Sequence, residues 1–320
     1  MQLGQQEAST DKRQDSGPVV TATSVVNSVA RVSLLTCLAM LAFAGNSILC
    51  RLALREGHID PFSFTLLRIV SGALVLYVLV RFQSAPAQQI APTQNSVPIR
   101  TTGSWTGAVA LFLYAITFSL AYVNMESGVG ALILFGAVQL TMLLYGVLKG
   151  ERLTPLSLAG LLLSIAGLIY LLLPGSSAPP LGSALLMTVA GAAWGGYSLL
   201  GKGATSPLAT TASNFARAIP FGAFAAAPFF ASLKGDGLGM LCAVLSGAFA
   251  SGLGYAIWYG VIKQLSVLKA SSVQLCVPIL TALIGAAFLG ETLTLRVVLA
   301  CIAVLGGIAL VLVSKQRTRG

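Results

Sequence analysis

Charge is what this sequence has least of. Only 9% of its 320 residues are Asp, Glu, Lys or Arg, whereas soluble domains carry roughly a quarter. Acids are scarcest, nine against nineteen bases, and there is one histidine. With 56% hydrophobic residues and a mean hydropathy of +0.87, too little polar surface remains to disperse such a core in water. Soluble enzymes, soluble nucleic-acid binders and disordered scaffolds are poor fits. The composition points to a bilayer.

Other absences narrow the chemistry. The five cysteines (Cys37, Cys50, Cys242, Cys276, Cys301) lie in or beside apolar runs, are odd in number and contain no C-x-x-C pair. They indicate neither a disulfide framework nor a zinc site, and read as small buried apolar residues. His58 alone cannot build a metal site. No nucleophile–base pair or phosphate loop occurs, so no catalytic residue, cofactor or metal is expected. About 30 mostly polar residues precede the first apolar run, unlike a cleavable signal peptide.

What is present are long apolar runs. About 20 helical residues at 1.5 Å each cross a ~30 Å hydrocarbon core. Ten stretches meet that length: 32–52, 61–81, 103–123, 128–148, 154–173, 181–201, 207–231, 238–260, 267–289 and 293–313. The fold class expected is an all-α polytopic membrane bundle. Residues 1–31 read as a polar, disordered tail, 83–100 as a Pro/Gln-rich loop and 314–320 as a basic tail.

The bases orient the chain. Lys12, Arg13, Arg31, Arg81, Arg100, Lys149, Arg152, Lys202, Lys263, Lys269, Lys315, Arg317 and Arg319 share the side of the N-terminus, thirteen against four (Arg51, Arg55, Lys234, Arg296) opposite. A positive-inside bias of this size places both termini in the cytoplasm. The formal charge of +10 is then a topology signal and not a nucleic-acid footprint.

The chain is also written twice. Ala42-Phe43-Ala44-Gly45-Asn46-Ser47 through Arg51 is answered by Ala193-Trp194-Gly195-Gly196-Tyr197-Ser198 through Lys202. Arg68 matches Arg217, Gly150-Glu151-Arg152-Leu153-Thr154 matches Gly290-Glu291-Thr292-Leu293-Thr294, and Gly167 falls opposite Gly307. The copies span 32–173 and 181–313. Five helices per copy is an odd number, so the second copy is inverted relative to the first, the arrangement that gives secondary transporters two exchangeable states.

An aromatic-Gly helix ending in a base, an Arg in the next helix and a Gly-Glu-x-Leu after the fourth resemble the EamA module of the drug/metabolite transporter superfamily. The resemblance implies a ten-helix carrier in the bacterial inner membrane that exports amino acids or related metabolites, and is similar in general character to aromatic amino-acid exporters. Phe43 stands where the module usually carries Trp, and Val138 where the second copy has Pro278.

Within the spans, polar residues are few. All nine acids fall in tails, loops or helix ends, so no carboxylate is available to hold a proton, sodium ion or cationic cargo in the core. This favours uncoupled flow. Glu151 and Glu291 read as starts of the helices that follow them. Arg68 and Arg217 enter the hydrocarbon, at a cost on the order of 3 kcal/mol or more each. They are candidates for gates or carboxylate-attracting steps, or else snorkel and pin the bundle. Phe43 with Asn46, and Trp194 with Tyr197, each share a helix face at i,i+3. Gln139 and Gln274 add amides near the centres of the fourth and ninth helices, and Pro278 removes a backbone hydrogen bond there. Together these are candidates to line a substrate cavity suited to a zwitterion with an apolar side chain; interhelical hydrogen bonding is the alternative use of such amides. Trp105, Trp258 and Tyr259 read as an aromatic belt. Gly195-Gly196 and Gly306-Gly307 read as close-packing positions.

The sequence therefore favours a transporter of amino acids, aromatic or bulky apolar ones first, whose partners are its small-molecule cargo and the lipid bilayer. A monomer suffices for this, with a dimer left open. A carrier of sugar-phosphates or nucleotide-sugars is the alternative within the class, and a non-transporting membrane enzyme or sensor the alternative outside it.

Overall fold

The computed structural model describes residues 22–84, 102–150, 153–175, 178–202, 204–232, 235–262, 264–265 and 273–317. The disordered-tail reading of 1–21, the Pro/Gln-rich loop over 85–100, Glu151 and the start of the ninth span lie outside the described residues.

Among the described residues ten apolar helices run in chain order, close to the stretches expected. They are α1 (Ala22–Arg55), α2 (Pro61–Ser84), α3 (Trp105–Tyr122), α4 (Ser127–Leu148) and α5 (Pro155–Leu172). Then follow α6 (Leu181–Leu200), α7 (Pro207–Ala226), α8 (Gly237–Ile262), α9 (Cys276–Leu289) and α10 (Leu295–Arg317). Eight of them are long and apolar enough to cross a bilayer; α7 and α9 are the others. Helix α7 is less apolar because Thr210, Thr211, Ser213, Asn214 and Arg217 fall in it, and α9 is short. The chain is a multi-pass membrane protein, and its surface shows it: Phe224 is 83% and Phe288 80% exposed, while Arg68 is 2% exposed.

Residues 22–31, expected in the tail, extend α1 toward its N-terminus. Once the apolar span is helical, each added residue gains a hydrogen bond without a new nucleus, and neither Gly nor Pro interrupts between Thr21 and Arg31.

Helix ends are satisfied by residues chosen for it. Ser104 and Thr154 accept the N–H of Gly107 and Ser157 at the starts of α3 and α5. Asp60 accepts from Phe62 and Ser63 at the start of α2, and Asp236 from Gly239 at the start of α8. Such side-chain oxygens stabilise a helix start by about 1 kcal/mol each. The repeated Gly-Glu ends the fourth helix of each copy on a left-handed glycine, Gly150 at φ +92° and Gly290 at φ +65°, a conformation a side chain would strain.

Helices α5 and α10, the last of each copy, pack backbone to backbone. Gly160 and Gly307 leave no room for a Cβ against one another's carbonyl oxygens, and Ser164 donates to the Val304 carbonyl at 3.1 Å. One member of each glycine pair does the packing: Gly195 sits on Thr141 and Gly307 on Gly160, while Gly196 and Gly306 face open space.

Helix α8 changes winding in the middle. Residues Ser246–Leu253 (SGAFASGL) form a π-helical segment between two α-helical ones. A Cβ on Gly247 would overlap the Arg68 carbonyl and Ser71 Oγ. Glycine thus lets the π segment lie directly on the backbone of α2, beside the buried arginine. π segments of this kind concentrate at functional sites.

Candidate functional site

A cavity of about 860 Å³ lies between the two copies, lined from both. Phe43, Asn46, Gln139, Trp194, Tyr197 and Gln274 all line it, so six of the seven residues expected there are brought together. The seventh, Pro278, is buried in the first turn of α9 and does not reach it. In a first turn the missing N–H costs less than mid-helix. Pro278 still has no N–H to offer the carbonyl of Gln274, four residues earlier, and regular helix stops at Leu275 between them.

The walls are aromatic. Trp194 stacks between Tyr197 (5.3 Å, 26°) and Tyr255 (5.3 Å, 19°), and its ring is 4.9 Å from Tyr114. Phe43 closes against Tyr255 and Trp258 at 5.8 and 6.2 Å. Pairs of this geometry add about 0.5–1.5 kcal/mol each beyond their burial. Polar groups are sparse, and several bond to one another. Ser246 donates to Asn46 Oδ1 at 2.6 Å, and Asn46 Nδ2 donates to Tyr114 Oη at 3.3 Å. Tyr197 Oη donates to Thr211 Oγ1 (3.4 Å) and accepts from Asn214 Nδ2 (3.5 Å). Among the described residues, none that lines the cavity is acidic.

Trp258 and Tyr259 correct the belt reading. Trp258 is buried against Phe43, and Tyr259 lines the cavity and shares a hydrogen bond with Thr211. Depth near a boundary does not fix which side of a helix a ring takes, and both of these line the cavity. Trp105, 60% exposed, does lie at the surface.

The two arginines occupy different places. Arg68 sits behind the cavity wall, its guanidinium carbon 5.0 Å from the ring centres of Tyr114 and Phe118, with Nη2 donating to Tyr114 Oη at 2.8 Å. Arg217 reaches along α7 to the start of α3: it donates to Ser213 Oγ at 2.7 Å and lies 5.9 Å over the Trp105 ring. It is half-buried and does not line the cavity.

The cavity runs to the exposed Lys149 and Lys202, and to Leu265, at one end of the bundle. The other end is shut. Arg51 donates to the carbonyls of Tyr122 and Val123 at the end of α3 (2.9 and 2.8 Å), and Arg55 to Leu289 at the end of α9 (2.7 Å). Glu291 accepts from Ser127 N at 2.8 Å and Ser127 Oγ at 2.5 Å, with Arg51 Nε 3.5 Å away. This corrects the reading of Glu291 as the start of its own helix. Thr294 caps α10, and Glu291 instead caps α4, whose own N-cap, Glu126, makes no capping bond with its side chain. Burial, and then the charge of Glu291, push the Glu126 carboxyl above its usual range. Further out, His58 meets Asp236 at 2.7 Å, Ile59 and Gly235 pair as an antiparallel bridge, and Phe62 stacks on Phe229 at 4.4 Å.

Tyr114 and Tyr255, which the sequence reading passed over, carry a signal that would have found them. Tyr114-Ala115-Ile116 recurs as Tyr255-Ala256-Ile257, in matching helices of the two copies.

Residues 30–173 and 181–313 each match the EamA-like transporter family. An uncharacterized protein of Pseudomonas aeruginosa is 55% identical over 282 residues, 88% of this chain and 94% of that one. An uncharacterized transporter of Archaeoglobus fulgidus is 30% identical over 213 residues, 64% of this chain and 75% of its own length. A crystal structure superposes with a TM-score of 0.61 at 20% identity, covering 88% of this chain and 97% of that one, which is a likeness of fold.

Proposed function

Because the chain belongs to the EamA-like transporter family, we propose that it exports amino acids, with aromatic or bulky apolar side chains favoured, across a bacterial inner membrane. One observation carries the substrate class: the cavity between the copies is walled by stacked aromatics, holds a few fixed amides and hydroxyls, and has no carboxylate among its described lining residues. Apolar walls with sparse placed polar groups suit a small zwitterion that keeps an apolar side chain. A cation would meet no countercharge there.

The mechanism proposed is alternating access by rocking of the two inverted copies. The described conformation opens at the end carrying Lys149 and Lys202, which the basic-residue bias assigns to the cytoplasm together with both termini. Flow is uncoupled in this reading, because no acid is among the described lining residues to carry a proton. A monomer holds the complete cavity. Lys149 and Lys202 at the mouth favour one second reading, a carrier of sugar-phosphates, for which they would attract the anion.

Purified protein in liposomes tests these points. Labelled phenylalanine or leucine should enter down its gradient at equal rates with and without an imposed proton gradient. Flux only under the proton gradient overturns uncoupled flow. Flux of sugar-phosphates without any amino acid overturns the cargo.

A further inference from the structure

The hydrogen bonds around Tyr114 leave one proton unspent. Its phenolic oxygen accepts from Arg68 Nη2 at 2.8 Å and from Asn46 Nδ2 at 3.3 Å. The Asn46 amide is oriented by Ser246, which donates to its Oδ1 at 2.6 Å. With both lone pairs engaged, the Tyr114 hydroxyl acts only as a donor. Among the described residues no acceptor for it occurs, and Tyr114 lines the cavity.

Behind it stands an uncompensated charge. Arg68 is 2% exposed, and its Nη1 is buried with no hydrogen-bond partner among the described residues. No carboxylate lies within ion-pair distance of it among those residues. Its guanidinium carbon lies 5.0 Å from the ring centres of Tyr114 and Phe118. Guanidinium remains protonated in proteins, and an isolated buried cation is costly. A phenol that accepts from a cation is a stronger donor in turn, because aligned hydrogen bonds polarise one another.

We infer that the Tyr114 hydroxyl is the carboxylate-binding donor of the cavity and that Arg68, acting through it, supplies the countercharge. The ligand class is an aromatic or apolar carboxylate, whose acid group docks at the blind end beside Asn46 and whose side chain lies along Trp194 and Tyr255. Tyr114 touches the ligand; Arg68 is a positioning residue. The arrangement gives the cavity affinity for an anion without placing a full charge on its wall, where it would hold cargo too tightly to release. The inference rests on the amino-acid reading above and assigns the atom that recognises the acid group.

Trp194 supplies the readout, since its ring is 4.9 Å from that of Tyr114. The full chain in detergent is titrated with phenylalanine, 3-phenylpropionate and phenylalaninamide, following tryptophan fluorescence. Wild type should bind both acids about tenfold or more tighter than the amide. Tyr114→Phe keeps the ring and its stacking, and its melting curve checks that the fold survives the loss of the Arg68 and Asn46 bonds; it should weaken both acids about tenfold to a hundredfold, the range of a hydrogen bond to a charged group, and leave the amide unchanged. Arg68→Lys should retain part of the preference for acids and Arg68→Gln abolish it. Equal binding of acid and amide by wild type, or undiminished acid binding by Tyr114→Phe, overturns the subsite while leaving the amino-acid reading intact. Failure of wild type to bind any of the three overturns that reading itself, and the subsite with it.

Discussion

Replacing Glu291 by Gln should unseal the closed end of the bundle. The Glu291 side chain is 6% exposed and joins three elements: it accepts from Ser127 N and Oγ at the start of α4, faces Arg51 Nε on α1, and belongs to the turn between α9 and α10. Opening this end has to separate those elements. Gln preserves shape and one acceptor but removes the charge facing the Arg51 Nε, which is buried with no hydrogen-bond partner among the described residues. Hydrogen bonds to charged groups contribute about 1.5–3 kcal/mol; a loss of about 2 kcal/mol multiplies the open population roughly 30-fold. Cys50 reports it directly. It is fully buried beside Arg51 on α1, so a variant retaining only this cysteine should react roughly 30-fold faster with a membrane-impermeant thiol reagent once Glu291 is Gln. An unchanged rate in a protein with an unchanged melting temperature refutes the role given to this network.

Other outcomes follow from the same geometry. The Asp236 hydrogen bond holds the His58 imidazole above its usual range, with Glu56 at 3.6 Å adding to it, while Gly239 N–H and then His58 hold Asp236 below its own. A raised histidine stabilises the fold through its Asp236 contact fully below its free value of about 6.5 and loses that contribution as pH rises through the raised value. The melting-temperature gap between wild type and His58→Gln should therefore be widest near pH 5.5 and close by pH 9; a gap independent of pH contradicts this. Gly247→Ala drives a methyl into the Arg68 carbonyl and should cost about 1–3 kcal/mol, read as a lower melting temperature with no change in helix content. Trp194→Ala removes three ring contacts and should weaken phenylalanine binding at least tenfold, measured by equilibrium dialysis. Arg217→Lys should transport like wild type, because Arg217 lies with Ser213 and Trp105 outside the cavity; a large drop in rate would return it to the gate.

Much of this was legible because lipid punishes polar groups. Run length alone located the ten helices, and an amide such as Asn46 or Gln139 in mid-span has to face protein or a wet cavity, which is where both are. Direction around a helix was harder. Trp258 and Tyr259 read as belt residues from their depth near a boundary, and depth does not say which side of a helix faces the cavity. Depth along a helix did not place the arginines, since a side chain as long as Arg217 ends near α3 and not beside its own Cα. Glu291 was assigned to its own helix because a sequence does not say which neighbouring helix start a loop carboxylate will meet. The closed end depends throughout on such long-range pairs, and none has a local signature.

Counterflow tests the central claim most directly, since it requires one site reachable from both sides in turn. Liposomes carrying the purified protein are loaded with unlabelled phenylalanine and diluted into a trace of the labelled compound, with no ion gradient. The account predicts a transient overshoot of label that decays as the internal pool empties and is lost in Trp194→Ala. An absence of overshoot with every amino acid, or an overshoot with sugar-phosphate alone, would contradict it.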